Sequence, residues 1–159
     1  MIRFMQKQDL EEVYKINIEN FTSDAWSLKA FERELELDYS YPFVLEKEGK
    51  VIGYMVLWQV YDEANLMTFA VKKEHQGKGY GKELLRYAVE YFKGKVRRIT
   101  LDVRRSNIKA IKLYQSLGFK INGFRPRYYS DGEDALQMCL ELEEEHATDK
   151  VKTAQANPV

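Results

Sequence analysis

Three glycines fall within five positions in Gln76-Gly77-Lys78-Gly79-Tyr80-Gly81, between an apolar segment ending near Val71 and a segment of helical periodicity. A turn this bare lets backbone N–H groups approach an anion closely, at a helix N-terminus where the dipole is positive. Lys78 and Lys82 add charge. The run has no Lys-Ser/Thr after its glycines, as a P-loop would. It also departs from the dinucleotide fingerprint in its spacing and in lacking an early acidic strand end. Phosphate binding is the preferred reading of this turn, with a plain tight connection as the alternative.

Around this junction the apolar periods lay out one domain. Ile2 to Met5 opens a strand, and Asp9, three residues before Glu12, has the spacing of a capping box. Leu10, Val13, Tyr14 and Ile18 follow at helical intervals, and Ser27 caps a second helix with Leu28, Phe31 and Leu35 on one stripe. Phe43 to Leu45 and Val51 to Val60 read as strands joined at Glu48-Gly49-Lys50, with another strand over Leu66 to Val71. Gly79 to Phe92 is a helix ended by Gly94. Ile99, Leu101 and Val103 then alternate with Thr100, Asp102 and Arg104, a half-buried strand whose polar side carries Asp102. Ser106 or Asn107 caps a helix bearing Ala110, Ile111 and Tyr114, which stops at Gly118. Phe119 to Phe124 and Leu136 to Leu142 are strands on either side of an Asp131-Gly132 turn. The order β-α-α-β-β-β-α-β-α-β-β predicts an α/β (α+β) domain over residues 1–142, a mixed central sheet flanked by helices. Residues 143–159 read as a polar tail.

Composition narrows the function classes. Lys+Arg and Asp+Glu number 25 each, so no global basic field attracts nucleic acid or an anionic membrane. Cys139 is the single cysteine, which leaves no internal disulfide and no cysteine cluster for a metal. His75 and His146 stand far apart without ligand spacing and read as solvated surface groups, so no metal is expected. The longest apolar stretch, Tyr54 to Val60, is too short to span a bilayer, and Met1-Ile2-Arg3-Phe4 has no signal-like apolar run. The expected location is the cytoplasm.

The pattern Gln76-x-x-Gly79-x-Gly81 resembles the coenzyme-A pyrophosphate loop of the GNAT acetyltransferases. Leu101-Asp102-Val103-Arg104-Arg105-Ser106-Asn107, followed by Ala110-Ile111, Leu113-Tyr114 and Leu117-Gly118-Phe119, is similar to the next strand and helix of that superfamily. Arg127-Tyr128-Tyr129 with Asp131-Gly132-Glu133-Asp134-Ala135 resembles its protein N-terminal branch, the ribosomal-protein-alanine (RimI-like) acetyltransferases and their archaeal relatives. The likeness covers about residues 1 to 142, and its three motifs occur in order.

The resemblance implies an acetyl-coenzyme-A-dependent transferase acting on the α-amino group of a protein N-terminus, a ribosomal protein among the candidates. Acetylation of lysine side chains or of a small amine is the alternative, and a coenzyme-A-binding module without turnover is a third. By the same resemblance, Phe69, Ala70 and Val71 pair with the pantetheine arm, and a backbone amide of this strand polarises the thioester carbonyl. Gln76, Gly77, Lys78, Gly79, Tyr80, Gly81 and Lys82 form the pyrophosphate loop. Asn107 contacts coenzyme A, and Tyr114 protonates the leaving thiolate. Tyr114 read without the family is a core tyrosine with a satisfied hydroxyl. Asp102 stands where bacterial members carry a glutamate, one methylene longer, and is ranked slightly above Glu63 as the base. The loop from Phe21 to Trp26 and the pair Tyr128-Tyr129 match segments that flank the acceptor peptide. Adjacent tyrosines on a strand point to opposite faces, so at most one belongs to a core. Trp26 reads equally as packing for the second helix.

Overall fold

The structure, a computed structural model, describes residues 1–142. The reading of residues 143–159 as a tail, and that of His146, lie outside the described residues. The strands are β1 (Ile2–Phe4), β2 (Ser40–Lys47), β3 (Lys50–Val60), β4 (Glu63–Val71), β5 (Arg98–Arg104), β6 (Lys120–Arg125) and β7 (Ala135–Glu141). The helices are α1 (Leu10–Asn20), α2 (Leu28–Glu34), α3 (Tyr80–Phe92) and α4 (Ile108–Ser116). Their order along the chain is the expected one. The strands form one sheet in the order β1-β2-β3-β4-β5-β7-β6, antiparallel throughout except for the parallel pair β4–β5.

Each face of the sheet carries its own core. Leu10, Val13 and Ile16 of α1 and Phe31 of α2 pack with Val44, Tyr54, Val56 and Ala70 on one side. Leu84, Leu85, Ala88 and Phe92 of α3 and Ile111 and Tyr114 of α4 pack with Phe43, Met55, Leu57 and Ile99 on the other. Every residue of β3 from Val51 to Leu57 is buried, which is why that strand reads as a continuous apolar run.

Local signals account for several boundaries. Ser27 accepts from the Ala30 amide at 3.1 Å and Asn107 from the Ala110 amide at 3.2 Å, so both are N-caps as the spacing predicts. Asp9 differs from expectation. It sits in helical conformation and caps nothing in α1; its carboxylate accepts from the Gln6 amide at 2.8 Å, one three-residue step earlier. Arg3 grips it with two bonds of 2.7 and 2.9 Å. The competing partner lay on β1, and local spacing could not reveal it.

One irregularity shapes the site. On β4, Thr68 pairs with Val56 and Leu66 with Leu57, so Met67 is an unpaired bulge. A bulge bends its strand and sharpens its twist. The pairing of β4 with β5 runs only from Glu63–Arg98 to Leu66–Leu101 and stops at this bulge. Beyond it β4 stays with β3 while β5 continues along β7. The two parallel strands therefore part, and the sheet opens between Met67–Val71 and Asp102–Arg104.

Candidate active site

The glycine turn stands at one mouth of this opening. Gly77 and Gly79 hold φ of 79° and 92°, a region that side chains resist, and Gly79 is the N-cap of α3. The backbone N–H groups of residues 77 to 82 donate to nothing among the described residues. This row of free donors at a helix N-terminus is a built anion site. Gly81 is small for another reason: a Cβ there would stand 3.3 Å from the Phe69 ring and 3.5 Å from Leu113, where α3 packs on β4 and α4.

The side chains of the loop divide by role. Gln76 points inward, donating to the Val71 carbonyl at 2.9 Å and to the Asn20 side chain at 2.8 Å. Asn20 in turn donates to the same carbonyl at 3.1 Å. Gln76 thus ties the loop to the end of β4, and Asn20, missed in the sequence, braces it from α1. Lys82 lines the groove, whereas Lys78 is exposed outside it. Tyr80 bonds Lys47, and His75 meets its ring edge-on at 6.1 Å. His75 is half-buried and lines the groove, so it is not the freely solvated group expected.

The strand β4 supplies a free backbone edge. Lys72 donates to Ile52 at 2.7 Å and so faces β3. Antiparallel alternation then turns Thr68 and Ala70 toward β3 and leaves the N–H and C=O of Phe69 and the N–H of Val71 facing the opening, the Val71 carbonyl being taken by Gln76 and Asn20. With β5 gone from that side, an extended amide can pair there as a strand would.

A groove of about 1190 Å³ passes through the opening from one face of the sheet to the other. On the α3–α4 face it meets Leu101, Val103, Asn107 and Tyr114. Tyr114 is 6% exposed, between Phe69 and Phe119, with ring centroids at 6.3 and 5.8 Å. Its hydroxyl has no hydrogen bond among the described residues, contrary to the satisfied core tyrosine that periodicity alone suggests. Burial, with Tyr129 nearby, pushes this phenol upward and keeps its proton on.

On the α1–α2 face the lining is aromatic and ionic. Phe21 and Trp26 enter from the α1–α2 connection, and Trp26 also packs on Phe31 at 5.3 Å, so it serves both the helix and the groove. Tyr128 and Tyr129 lie in the β6–β7 connection and not on a strand, because Arg127 takes a φ of 48° and a turn closes from Gly132 to the Tyr129 carbonyl. Arg104 stacks on the Tyr129 ring at 4.2 Å and binds Asp24, Asp131 and Glu133. This arginine joins the two loops, a link between residues 80 positions apart that sequence reading did not find. Burial, with Asp102 close by, raises the Tyr129 phenol to about 12.

The two candidate carboxylates are placed differently. Asp102 is the first residue of β5 past the last pairing with β4, on the polar side of the strand, with Arg125 at 3.2 Å. Glu63 opens β4 opposite Arg98 and is bound by it at 2.9 Å. Along β5, Arg98 and Asp102 are four steps apart, roughly 13 Å. Glu63 therefore closes the far end of the groove while Asp102 stands at the opening.

A parted parallel pair, a free strand edge and an anion-binding turn define a protein built to hold an acyl-coenzyme A. That molecule carries a pyrophosphate for the turn and amides for the edge, so the residues present fit it. The model of the Acetyltransferase (GNAT) family matches residues 10–119. The chain belongs to that family and is an acetyl-coenzyme-A-dependent acetyltransferase. A Bacillus subtilis (strain 168) protein with the provisional name [ribosomal protein bS18]-alanine N-acetyltransferase is 41% identical over 90% of this chain and 96% of its own. The [ribosomal protein bS18]-alanine N-acetyltransferase of Escherichia coli (strain K12) is 36% identical over 89% and 97%. Among solved structures, the Escherichia coli ribosomal-protein-S18-alanine N-acetyltransferase superposes with a TM-score of 0.81 at 34% identity, covering 89% of this chain and 93% of that one. No helix among the described residues is long and apolar enough to cross a membrane.

Proposed function

We propose that this enzyme acetylates the α-amino group of a protein N-terminus, with a ribosomal protein as the first candidate acceptor, and that it does so in the cytoplasm. One observation carries the reading. The groove joins a coenzyme-A-type half on one face of the sheet to an aromatic half on the other, where Trp26 and Tyr129 flank the approach to Asp102. Relatives named for N-terminal acetylation, among them the Mycobacterium tuberculosis (strain ATCC 25618 / H37Rv) N-alpha-acetyltransferase RimI at 31% identity over 84% of this chain and 87% of its own, support it.

Acetyl-coenzyme A supplies the acetyl group as a thioester. The N–H groups of residues 77 to 82, with Lys82, hold its pyrophosphate; Asn107 stands on the same face. The edge of Phe69 and Val71 aligns its arm, with Ala70 fixing the strand between them on β3. Asp102 takes the proton shed by the amine, directly or through a water. An α-amino group with pKa about 8 is partly neutral already, so a weak base suffices. Tyr114 gives its proton to the departing sulfur. Glu63, bound to Arg98, shapes the groove's far end and takes no part in the transfer.

Small cationic acceptors fit less well. The carboxylates of this wall are already matched, Asp24, Asp131 and Glu133 by Arg104 and Asp102 by Arg125. The deciding experiment uses one lysine-containing peptide in two forms, with a free and with a blocked N-terminus, and locates the acetyl group by tandem mass spectrometry. The expected product is acetylated at the free N-terminus alone. Equal modification of the blocked peptide on lysine would replace this reading with the lysine one.

A further inference from the structure

Beside the aromatic half of the groove lies a second cavity of about 380 Å³, which shares Trp26 and Trp58 with it. Its wall includes Glu34, a carboxylate that is 4% exposed. One oxygen of Glu34, Oε1, accepts from the Ser40 hydroxyl at 2.7 Å and from the Trp58 indole at 2.6 Å. Both donors are neutral. The other oxygen accepts from nothing among the described residues, and no cation lies within ion-pair distance of it there. The unpartnered oxygen is thus open to an incoming donor, while the first is held in place by two neutral ones. The remaining walls are three aromatics, Trp26, Tyr39 and Trp58, the last two meeting edge-to-face at 5.1 Å, with Ala30, Leu37 and, on the rim, Arg33. Aromatic faces around a buried carboxylate form the setting that attracts an ammonium or guanidinium.

Position suggests what brings that cation. Trp58 pairs with Asn65 on β4, three residues before Thr68 at the opening, a distance of roughly 10 Å. An extended peptide covers that in about three residues. We propose that this cavity is a specificity subsite for an arginine or lysine side chain within the first few residues after the acceptor's N-terminus. The proposal rests on the N-terminal reading above. Arg33, on the exposed rim, is the one group there that would favour an acidic residue instead.

The test uses peptides with a free N-terminus that carry arginine or its neutral isostere citrulline at position two, three or four. Neither side chain is an acetyl acceptor. The wild-type enzyme is expected to favour arginine over citrulline at least tenfold in kcat/KM at one of these positions, chiefly through KM. Glu34→Gln keeps an acceptor for Ser40 and Trp58 but loses the charge, and is expected to bring that ratio within twofold while citrulline peptides react as before. No arginine preference in the wild type, a preference for glutamate at the same place, or an unchanged ratio in a folded Glu34→Gln enzyme would overturn the subsite. The wild-type comparison stands even if the variant fails to fold. Acetylation of the citrulline peptides at their N-termini separately checks the underlying reading, since its failure would show as no Nα product from any peptide.

Discussion

The side chain of Gln76 donates to the carbonyl oxygen of Val71 at 2.9 Å, closing the chain back on itself between the end of β4 and the glycine turn. The strand edge and the free N–H row are thereby held as one unit. Gln76→Leu removes this tie and its bond to Asn20. Loss of two hydrogen bonds of this kind costs about 1 kcal/mol each. Acetyl-coenzyme A affinity is expected to fall roughly tenfold in calorimetry with little change in peptide KM. An unchanged affinity would mean that Asn20 alone positions the turn.

Gly79 and Gly81 are expected to fail differently. At Gly79 the backbone is left-handed but a Cβ meets nothing within 4 Å, so Gly79→Val strains the turn by about 1–2 kcal/mol and puts bulk beside the N–H row. Coenzyme binding should be lost in a protein that still melts cooperatively. Gly81→Val instead drives into Phe69 and Leu113 and should lower the melting temperature first. Thermal melts and calorimetry on both variants separate the two effects.

Tyr114→Phe removes a hydroxyl that bonds no described residue, so the melting temperature is expected to stay within a degree or two. The chemistry should suffer, with kcat down more than tenfold and peptide KM little changed. The raised phenol stays protonated through neutral and mildly alkaline pH, so the wild type should show no loss of rate from Tyr114 ionisation below about pH 10. Full activity of the phenylalanine variant would make Tyr114 a packing residue.

Asp102 and Glu63 are separated by the same kind of measurement. Asp102→Asn is expected to slow kcat at least tenfold, and Asp102→Glu to match or exceed the wild type. Glu63→Gln should change kcat less than threefold, because that carboxylate pairs opposite Arg98, roughly 13 Å along β5 from Asp102 at the opening. An acidic limb of the pH–rate profile that survives in Asp102→Asn would rule this carboxylate out as the titrating base.

Stability has its own acid dependence through Asp9. Burial raises its pKa, but the bonds from Arg3 and the Gln6 amide outweigh burial and leave it below the ordinary value. A depressed carboxylate stabilises the fold at pH above its unfolded value of about 3.9, and that contribution is lost as pH falls through the folded value. Asp9→Asn is therefore expected to cost about 2 kcal/mol at pH 7 and progressively less below pH 4. Urea denaturation at pH 7 and pH 3 measures the difference; a gap independent of pH would exclude the ionised pair as its source.

The element order and the glycine turn could be read directly from the chain, because periodicity, caps and left-handed glycines are local physics. Ser27 and Asn107 cap where their spacing says, and Asp102 faces away from the core as alternation requires. The role of Asp9 and the cationic partners of Tyr128 and Tyr129 escaped this reading, because Arg3 on β1 and Arg104 and Arg125 on β5 and β6 come from other elements.

What decides the chemistry is tertiary. The bulge at Met67 exists only because β3 and β4 pair out of step there, and that bulge is what parts β4 from β5 and opens the groove. Arg104 reaches Asp24 across 80 residues, and Glu34 on α2 meets Ser40 on β2 and Trp58 on β3 only once the helix lies on the sheet. The linear chain determined which residues could bend, cap and alternate. Packing of the two helical layers on an irregular sheet decided which of them stand together, since side chains far apart in sequence meet only through strand register and helix placement.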